Sequence, residues 1–199
     1  MAVHELKGAE GWILDIATGT GDVAIEIVHQ NGQKNKVSGL DFSEPMIKVA
    51  HRKLVNEGLV EKIVLSLGDA IFLPFRNHTF SASIIAFGLR NIMKKEQALA
   101  EMVRVIRGGG KVIILEFTLP QEGLMKSLYP IYFRRILPWI GGLISGNRGA
   151  YSYLPESVLR FRYSEDYEKM MRGVGLENVR SRRLTGGIAS IIEGTKRHQ

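Results

Sequence analysis

The chain contains no cysteine among its 199 residues. That excludes disulfides, thiolate metal sites and every mechanism built on a cysteine nucleophile, including thiolate-dependent C5 methylation of pyrimidines. Such a chain suits a reducing cytoplasm. No run reaches about 18 apolar residues, so no membrane-spanning helix is expected. The segment Met1 to Gly11 carries His4, Glu5, Lys7 and Glu10 and lacks the apolar centre of a secretory signal. The five histidines and the carboxylates show no ligand spacing, so no metal site is expected. What is present is ordinary for a folded chain: 45% hydrophobic and 24% charged residues, values that disfavour disorder, collagen and coiled coil. The length fits one domain spanning residues 1–199.

The net charge of +7 is unevenly spread. Residues 1–100 hold 11 basic and 11 acidic side chains, whereas residues 101–199 hold 16 and 9, so the whole excess lies in the second half. A basic half invites a nucleic-acid partner. Against it, no Asp/Asn-Pro-Pro-aromatic tetrapeptide for base amino methylation occurs, and no nucleic-acid partner is expected.

Through residue 117 apolar runs alternate with helical spacing. Trp12 to Ile16, Lys36 to Leu40, Ile63 to Leu67, Ser81 to Phe87 and Lys111 to Phe117 have the composition of buried parallel strands. Between them, Thr20 to Gln30, Glu44 to Asn56 and Lys94 to Ile106 place apolar residues three and four apart, and Ser43-Glu44-Pro45 is a good helix start. Repeated βα units predict an α/β doubly wound sheet. Beyond Phe117 the pattern changes: Leu119 to Gly149 holds Pro120, Pro130, Pro138 and five glycines among short aromatic and aliphatic pieces. A helix at Glu165 to Arg172 and two strands, Glu177 to Leu184 and Ile188 to Lys196, joined across Gly186-Gly187, predict a closing antiparallel hairpin.

The first strand runs into Asp15-Ile16-Ala17-Thr18-Gly19-Thr20-Gly21-Asp22, a glycine turn between strand and helix that lets a ligand approach the backbone. Asp41 ends the second strand, 20 residues beyond Gly21, where a carboxylate can accept both hydroxyls of a ribose. Together they imply an adenosine-type cofactor. Gly19-Thr20-Gly21-Asp22-Val23-Ala24 also satisfies the dinucleotide fingerprint, so the turn alone does not separate a dehydrogenase from a methyltransferase. A third strand ending in Gly68-Asp69-Ala70, with Leu73-Pro74-Phe75 as an apolar wall, offers a partner for the adenine amino group and favours S-adenosylmethionine. No tyrosine is followed by lysine four residues on, which removes the common tyrosine-lysine hydride-transfer pair. Asp69 could instead cap a loop, Asp15 could hold the glycine turn without touching ligand, and Met46 could be core rather than an adenine cover.

Five segments carry a family resemblance: Leu14 to Asp22, Gly39 to Met46, Phe87-Gly88-Leu89-Arg90-Asn91, Leu115-Glu116-Phe117, and Tyr151 to Ser157. With them the chain resembles the C-methyltransferases of menaquinone and ubiquinone biosynthesis from Gly11 onward. The glycine turn and Asp41 are common to most class I methyltransferases, whereas Phe-Gly-Leu-Arg-Asn and Tyr-x-Tyr-Leu-x-x-Ser are far more diagnostic. The resemblance implies a Rossmann-like fold with a seven-stranded, mostly parallel sheet, a C-terminal antiparallel hairpin and a helical insertion after strand five. It implies S-adenosylmethionine as cofactor, held by Asp15, Ala17, Thr18, Gly19 and Gly21 from the first turn. Asp41, Phe42 and Met46 would join from the second strand end, and Asp69, Ala70 and Phe87 from the third and fourth. Thr18 stands where the family commonly has glycine, and fewer residues precede the turn than the several dozen, folded as helices over the cofactor, that the family usually carries.

The implied reaction is methyl transfer to a ring carbon of a prenylated quinol, foremost demethylmenaquinol. Loss of a hydroxyl proton raises the carbon's nucleophilicity, and Arg90 is the candidate to stabilise the developing quinolate, with Asn91 and Tyr153 orienting ring oxygens. Tyr151 and Glu116 are candidate proton acceptors. In the insertion, residues 119–150, apolar and aromatic side chains interleave with Lys126, Arg134, Arg135 and Arg148, the composition of an interfacial element or of a helical substrate cap. This predicts a cytoplasmic protein with peripheral contact at the inner membrane face. A sheet edge or the insertion could also build a homodimer. The alternatives are a methyltransferase for another small molecule and a cofactor-binding module without catalysis.

Overall fold

The computed structural model describes residues 2–30, 35–120 and 163–198. Seven strands form one sheet in the order β3-β2-β1-β4-β5-β7-β6. They are β1 (Trp12–Ile16), β2 (Lys36–Asp41), β3 (Ile63–Leu67), β4 (Phe80–Ala86), β5 (Ile106–Phe117), β6 (Leu176–Leu184) and β7 (Ala189–Lys196). Neighbours from β3 through β5 pair in parallel, while β7 runs antiparallel to both β5 and β6. The doubly wound sheet and the antiparallel C-terminal pair are as expected. The chain passes from β3 at one edge to β4 on the far side of β1, so the direction of winding reverses between β1 and β4. Ligands bind at such a reversal, beyond the carboxyl ends of the strands.

Alternation along the central strands sends successive side chains to opposite faces. Leu14, Ile85, Val112, Ile114 and Ile192 pack with Leu99 and Met102 of α3 (Lys95–Val105) and Tyr167 and Met171 of α4 (Ser164–Gly173). Ile13, Ile84, Ile113 and Ile191 face the other way, onto Ala24, Ile27 and Val28 of α1 (Asp22–Gln30) and Leu54 of α2 (Glu44–Glu57). Pro45 in the first turn of α2 and the left-handed Gly58 after its last turn give that helix sharp ends.

Several boundaries differ from the sequence reading for identifiable reasons. Helix α1 begins at Asp22 rather than Thr20, because Gly19 and Gly21 hold φ of +56° and +83°, outside helical space. β4 stops at Ala86 because Phe87 takes φ of +53°. β5 starts at Ile106, five residues early, directly after α3. Its glycines 108–110 do not end the strand; they bulge from it, since the register moves from Phe80↔Ile106 to Ala82↔Lys111. β3 and β6 are edge strands with one face partly open to solvent, so Ile63–Leu67 is not buried on both faces. A short 3-10 turn, Thr185–Gly187, joins β6 to β7.

Candidate functional site

A cleft of about 870 Å³ opens over the carboxyl ends of β1, β2, β3 and β4. Ala17 and Gly19 contribute from the turn after β1; Asp41, Phe42 and Met46 from the end of β2 and the start of α2. Asp69, Ala70 and Ile71 follow β3. Phe87, Gly88, Asn91 and Lys94 form the wall after β4.

The turn after β1 is tied to β2. The Gly19 amide donates to one Asp41 carboxylate oxygen at 2.8 Å, and the Ser43 amide donates to the other at 2.8 Å. A carboxylate oxygen carries two lone pairs, so both keep one for a ligand hydroxyl. Gly19 has only the Ala17 carbonyl, at 4.0 Å, near the place a Cβ would occupy, so its backbone is open to the cleft. Asp69 uses one oxygen to accept the Ile71 amide at 3.1 Å, fixing the strand-end loop while it lines the cleft. Phe42 and Met46 are exposed apolar side chains on the same side. A hydroxyl pair on Asp41, an amino group near Asp69 and an apolar ring between Met46 and Ile71 are what an adenosine presents. The donor set therefore fits S-adenosylmethionine. Among the described residues no group of three histidines or carboxylates is placed to hold a metal.

Asp15, Thr18 and Gly21 lie beneath this surface rather than in it. Asp15 is buried and accepts the Thr18 hydroxyl at 2.5 Å. Burial pushes its carboxyl up to about 7, more than the Thr18 hydroxyl pulls it down, and the nearby Asp41 charge adds to the rise. Thr18 also donates its amide to the Leu40 carbonyl at 3.0 Å and accepts the Gly21 amide at 2.9 Å. Its side chain lies over Gly39, where an added Cβ would come within 3.0 Å of the hydroxyl. Asp15 thus anchors the glycine turn. Leu73 and Phe75 do not line the cleft: Leu73 is buried in the core, and Phe75 packs edge-on to Phe80 at 5.0 Å. Ile71 supplies the apolar wall in their stead.

At the reversal point two non-glycine residues, Ala17 and Phe87, both hold φ of +53°. Such backbone is costly and concentrates at ligand sites. They are brought together by Gly88, where an added Cβ would lie 2.5 Å from that of Ala17.

Arg90 does not line the cleft. Its guanidinium pairs with Glu116 at 2.8 Å and donates to the Phe87 carbonyl. Glu116 is fully buried and also accepts the Arg90 amide at 3.0 Å and the Phe117 amide at 2.9 Å. Both of its oxygens hold donors from the chain, which leaves it poorly suited to take a substrate proton. Asn91 does line the cleft, one residue on, in the 3-10 turn Leu89–Asn91. Gly88, Ile71, Ile92, Met93 and Lys94 also line the cleft and are not among the site residues expected from sequence. Ile71 comes from the loop after β3, and the place of Gly88, Ile92, Met93 and Lys94 depends on how residues 87–94 turn, which no local motif encodes. Tyr153, Tyr151 and the insertion from 121 onward fall outside the described residues. No described helix is long and apolar enough to cross a membrane.

The ubiE/COQ5 methyltransferase family matches over residues 2–196. The chain is 42% identical to the ubiquinone/menaquinone biosynthesis C-methyltransferase UbiE of Geobacter sulfurreducens, over 98% of this chain and 76% of that protein. It is 45% identical to the demethylmenaquinone methyltransferase of Deinococcus radiodurans, over 98% and 80% respectively. In fold it is similar to Haemonchus contortus phosphoethanolamine N-methyltransferase 2, solved in complex with S-adenosyl-L-methionine, with a TM-score of 0.72 and 14% identity over 99% of this chain and 52% of that one. Glycine turn, strand-end carboxylates and the Phe-Gly-Leu-Arg-Asn wall thus stand in a chain that belongs to the ubiE/COQ5 methyltransferase family.

Proposed function

We propose that this protein methylates a ring carbon of a prenylated quinol, with demethylmenaquinol as the acceptor, using S-adenosylmethionine. As a family member it is an S-adenosylmethionine-dependent C-methyltransferase of quinone biosynthesis. The observation that carries the reading is the cleft itself: Asp41 and Asp69 on one side of β1, and Phe87, Gly88 and Asn91 on the other.

When bound, the cofactor supplies an electrophilic methyl group on a sulfonium centre. Asp41 would hold the ribose hydroxyls through its remaining lone pairs, Asp69 the adenine amino group, and Met46 and Ile71 the ring faces. The turn 17–19, tied to β2 through Asp41, keeps its backbone against the ligand. Across the cleft, Asn91 and Lys94 offer a hydrogen-bonding amide and a cation to the oxygens of the acceptor ring. Both would favour the ring hydroxyl releasing its proton to solvent, which raises the nucleophilicity of the ring carbon toward the methyl group that the cofactor would supply. Arg90 would act from behind this wall through Phe87 and Glu116. The resemblance adds Tyr153 as a further partner for a ring oxygen, tested by Tyr153→Phe.

A prenylated acceptor dissolves in membranes, and the mixture of aromatic and basic residues in the insertion supports peripheral contact with an anionic surface. Sedimentation with anionic vesicles should weaken on Arg134→Glu with Arg135→Glu; unchanged binding would remove the electrostatic part. For the reaction, methyl transfer from labelled S-adenosylmethionine to reduced demethylmenaquinone and to the demethylated benzoquinol should be measured side by side. Methylation of the naphthoquinol is expected. Cofactor binding with neither acceptor methylated would overturn the reading.

A further inference from the structure

We propose that Glu116 is a positioning residue for the acceptor side of the cleft, acting by holding Phe87 to Asn91 in shape from behind; this rests on the methyl-transfer reading above. The contacts form a closed loop. Phe87 ends β4 in left-handed backbone, its amide donating to the Leu115 carbonyl at 2.7 Å. Its own carbonyl accepts the Arg90 guanidinium. That guanidinium reaches Glu116 at 2.8 Å, and the Arg90 amide reaches the other Glu116 oxygen at 3.0 Å. Glu116 and Phe117 return the path to β5, where the Phe117 amide donates to Glu116 at 2.9 Å. The Phe117 ring lies 4.6 Å from the Phe87 ring and 5.3 Å from the Arg90 guanidinium carbon. One carboxylate thus fixes the turn through its backbone at residue 90 and through its side chain to residue 87.

A role in stability alone is a poor explanation for this arrangement. A buried ion pair repays its desolvation only with good geometry, and an apolar pair of similar volume commonly serves a core as well. Here the bonds converge on a turn that is strained at Phe87 and supplies Gly88 and Asn91 to the cleft. The Asp41 and Asp69 side is held by separate bonds, from Gly19, Ser43 and Ile71. Loss of Glu116 should therefore loosen one wall and spare the other.

The test uses the full chain with Glu116→Gln and Glu116→Leu. The amide of Gln cannot receive both the guanidinium and two backbone donors as the carboxylate does. Amide hydrogen exchange over residues 87–91 should speed up by about tenfold or more in Glu116→Gln, while residues 40–46 and 68–71 exchange as in the parent. Calorimetric affinity for S-adenosylhomocysteine should fall by much less than kcat toward reduced demethylmenaquinone, which should fall by about tenfold or more, and further in Glu116→Leu. Should Glu116→Leu fail to fold, by circular dichroism, Glu116→Gln decides. Unchanged exchange at 87–91 overturns the proposal, and so does a loss of cofactor affinity in step with kcat. Failure of the parent to methylate any quinol would instead overturn the functional reading, and the exchange data would still test Glu116.

Discussion

Thr18 donates its hydroxyl hydrogen to Asp15 across 2.5 Å, directly beneath the turn that Gly19 opens to the cleft. An acid buried this way keeps its proton further up the pH scale than it does in the unfolded chain, where its value is near 3.8. Between that value and about 7 the folded state holds a proton that the unfolded state has released. The associated stability is therefore complete below the unfolded value and is lost as pH rises through about 7. Urea unfolding at pH 5 and pH 8 should show the parent losing about 2–3 kcal/mol more than Asp15→Asn over that interval. Equal pH dependence in the two proteins would show that Asp15 is ionised in both states.

Asp41 braces the glycine turn after β1 and keeps a lone pair on each oxygen open for a ligand. Asp41→Asn removes the charge and one acceptor. Affinity for S-adenosylhomocysteine should fall by about tenfold to a hundredfold, with unfolding changed far less. Calorimetry checks this, and an unaltered Kd would take Asp41 out of the site.

Gly88 has an ordinary φ of −105°, so its smallness answers to contact rather than conformation. Gly88→Ala should cost about 1–3 kcal/mol and weaken cofactor binding by pushing the turns after β1 and β4 apart. Ala17→Gly, which empties the opposing position and relieves its positive φ, should restore part of both in the double variant. A strictly additive double variant would show that the two residues do not meet.

Lys196 on β7 is buried, and its ammonium donates to the carbonyls of Val103 at 2.7 Å and Ile106 at 2.8 Å, closing the end of α3. Desolvation and the Arg104 cation hold its pKa below the usual lysine value. Lys196→Met leaves those carbonyls without their cation and should cost about 2–3 kcal/mol in thermal unfolding, with methyl transfer per folded molecule unchanged. A parallel loss of turnover would tie this end of the sheet to the reaction.

The central parallel strands were legible because a strand covered on both faces is a nearly continuous apolar run, as in β1, whereas β3 was legible from its aliphatic composition although it lies at the sheet edge. That Gly19, Asp41 and Asp69 meet at one cleft was legible for a related reason: they punctuate strand ends. β5 was cut short because three glycines look like a break, whereas strand pairing carries the chain through them as a bulge. Sequence supplies the position of Arg90 just past β4 but not its partner. That partner, Glu116, lies 26 residues on, and the two meet only once β4 and β5 are paired. Lys94 entered the lining the same way, through the shape of a turn.

β7 follows β6 in the chain yet lies between β5 and β6 in the sheet. During synthesis β6 therefore leaves the ribosome with no strand to pair against, and β5 keeps an open edge until residues 189–196 are made. The nascent chain can assemble β1 to β5 early, but its last two strands must be added together. Until then an unpaired edge of β5, Ile113 to Leu115 included, is available to other chains. Stalled or truncated translation products lacking residues 189–196 should be captured by chaperones or aggregate, even though every cleft residue named above has already been synthesised.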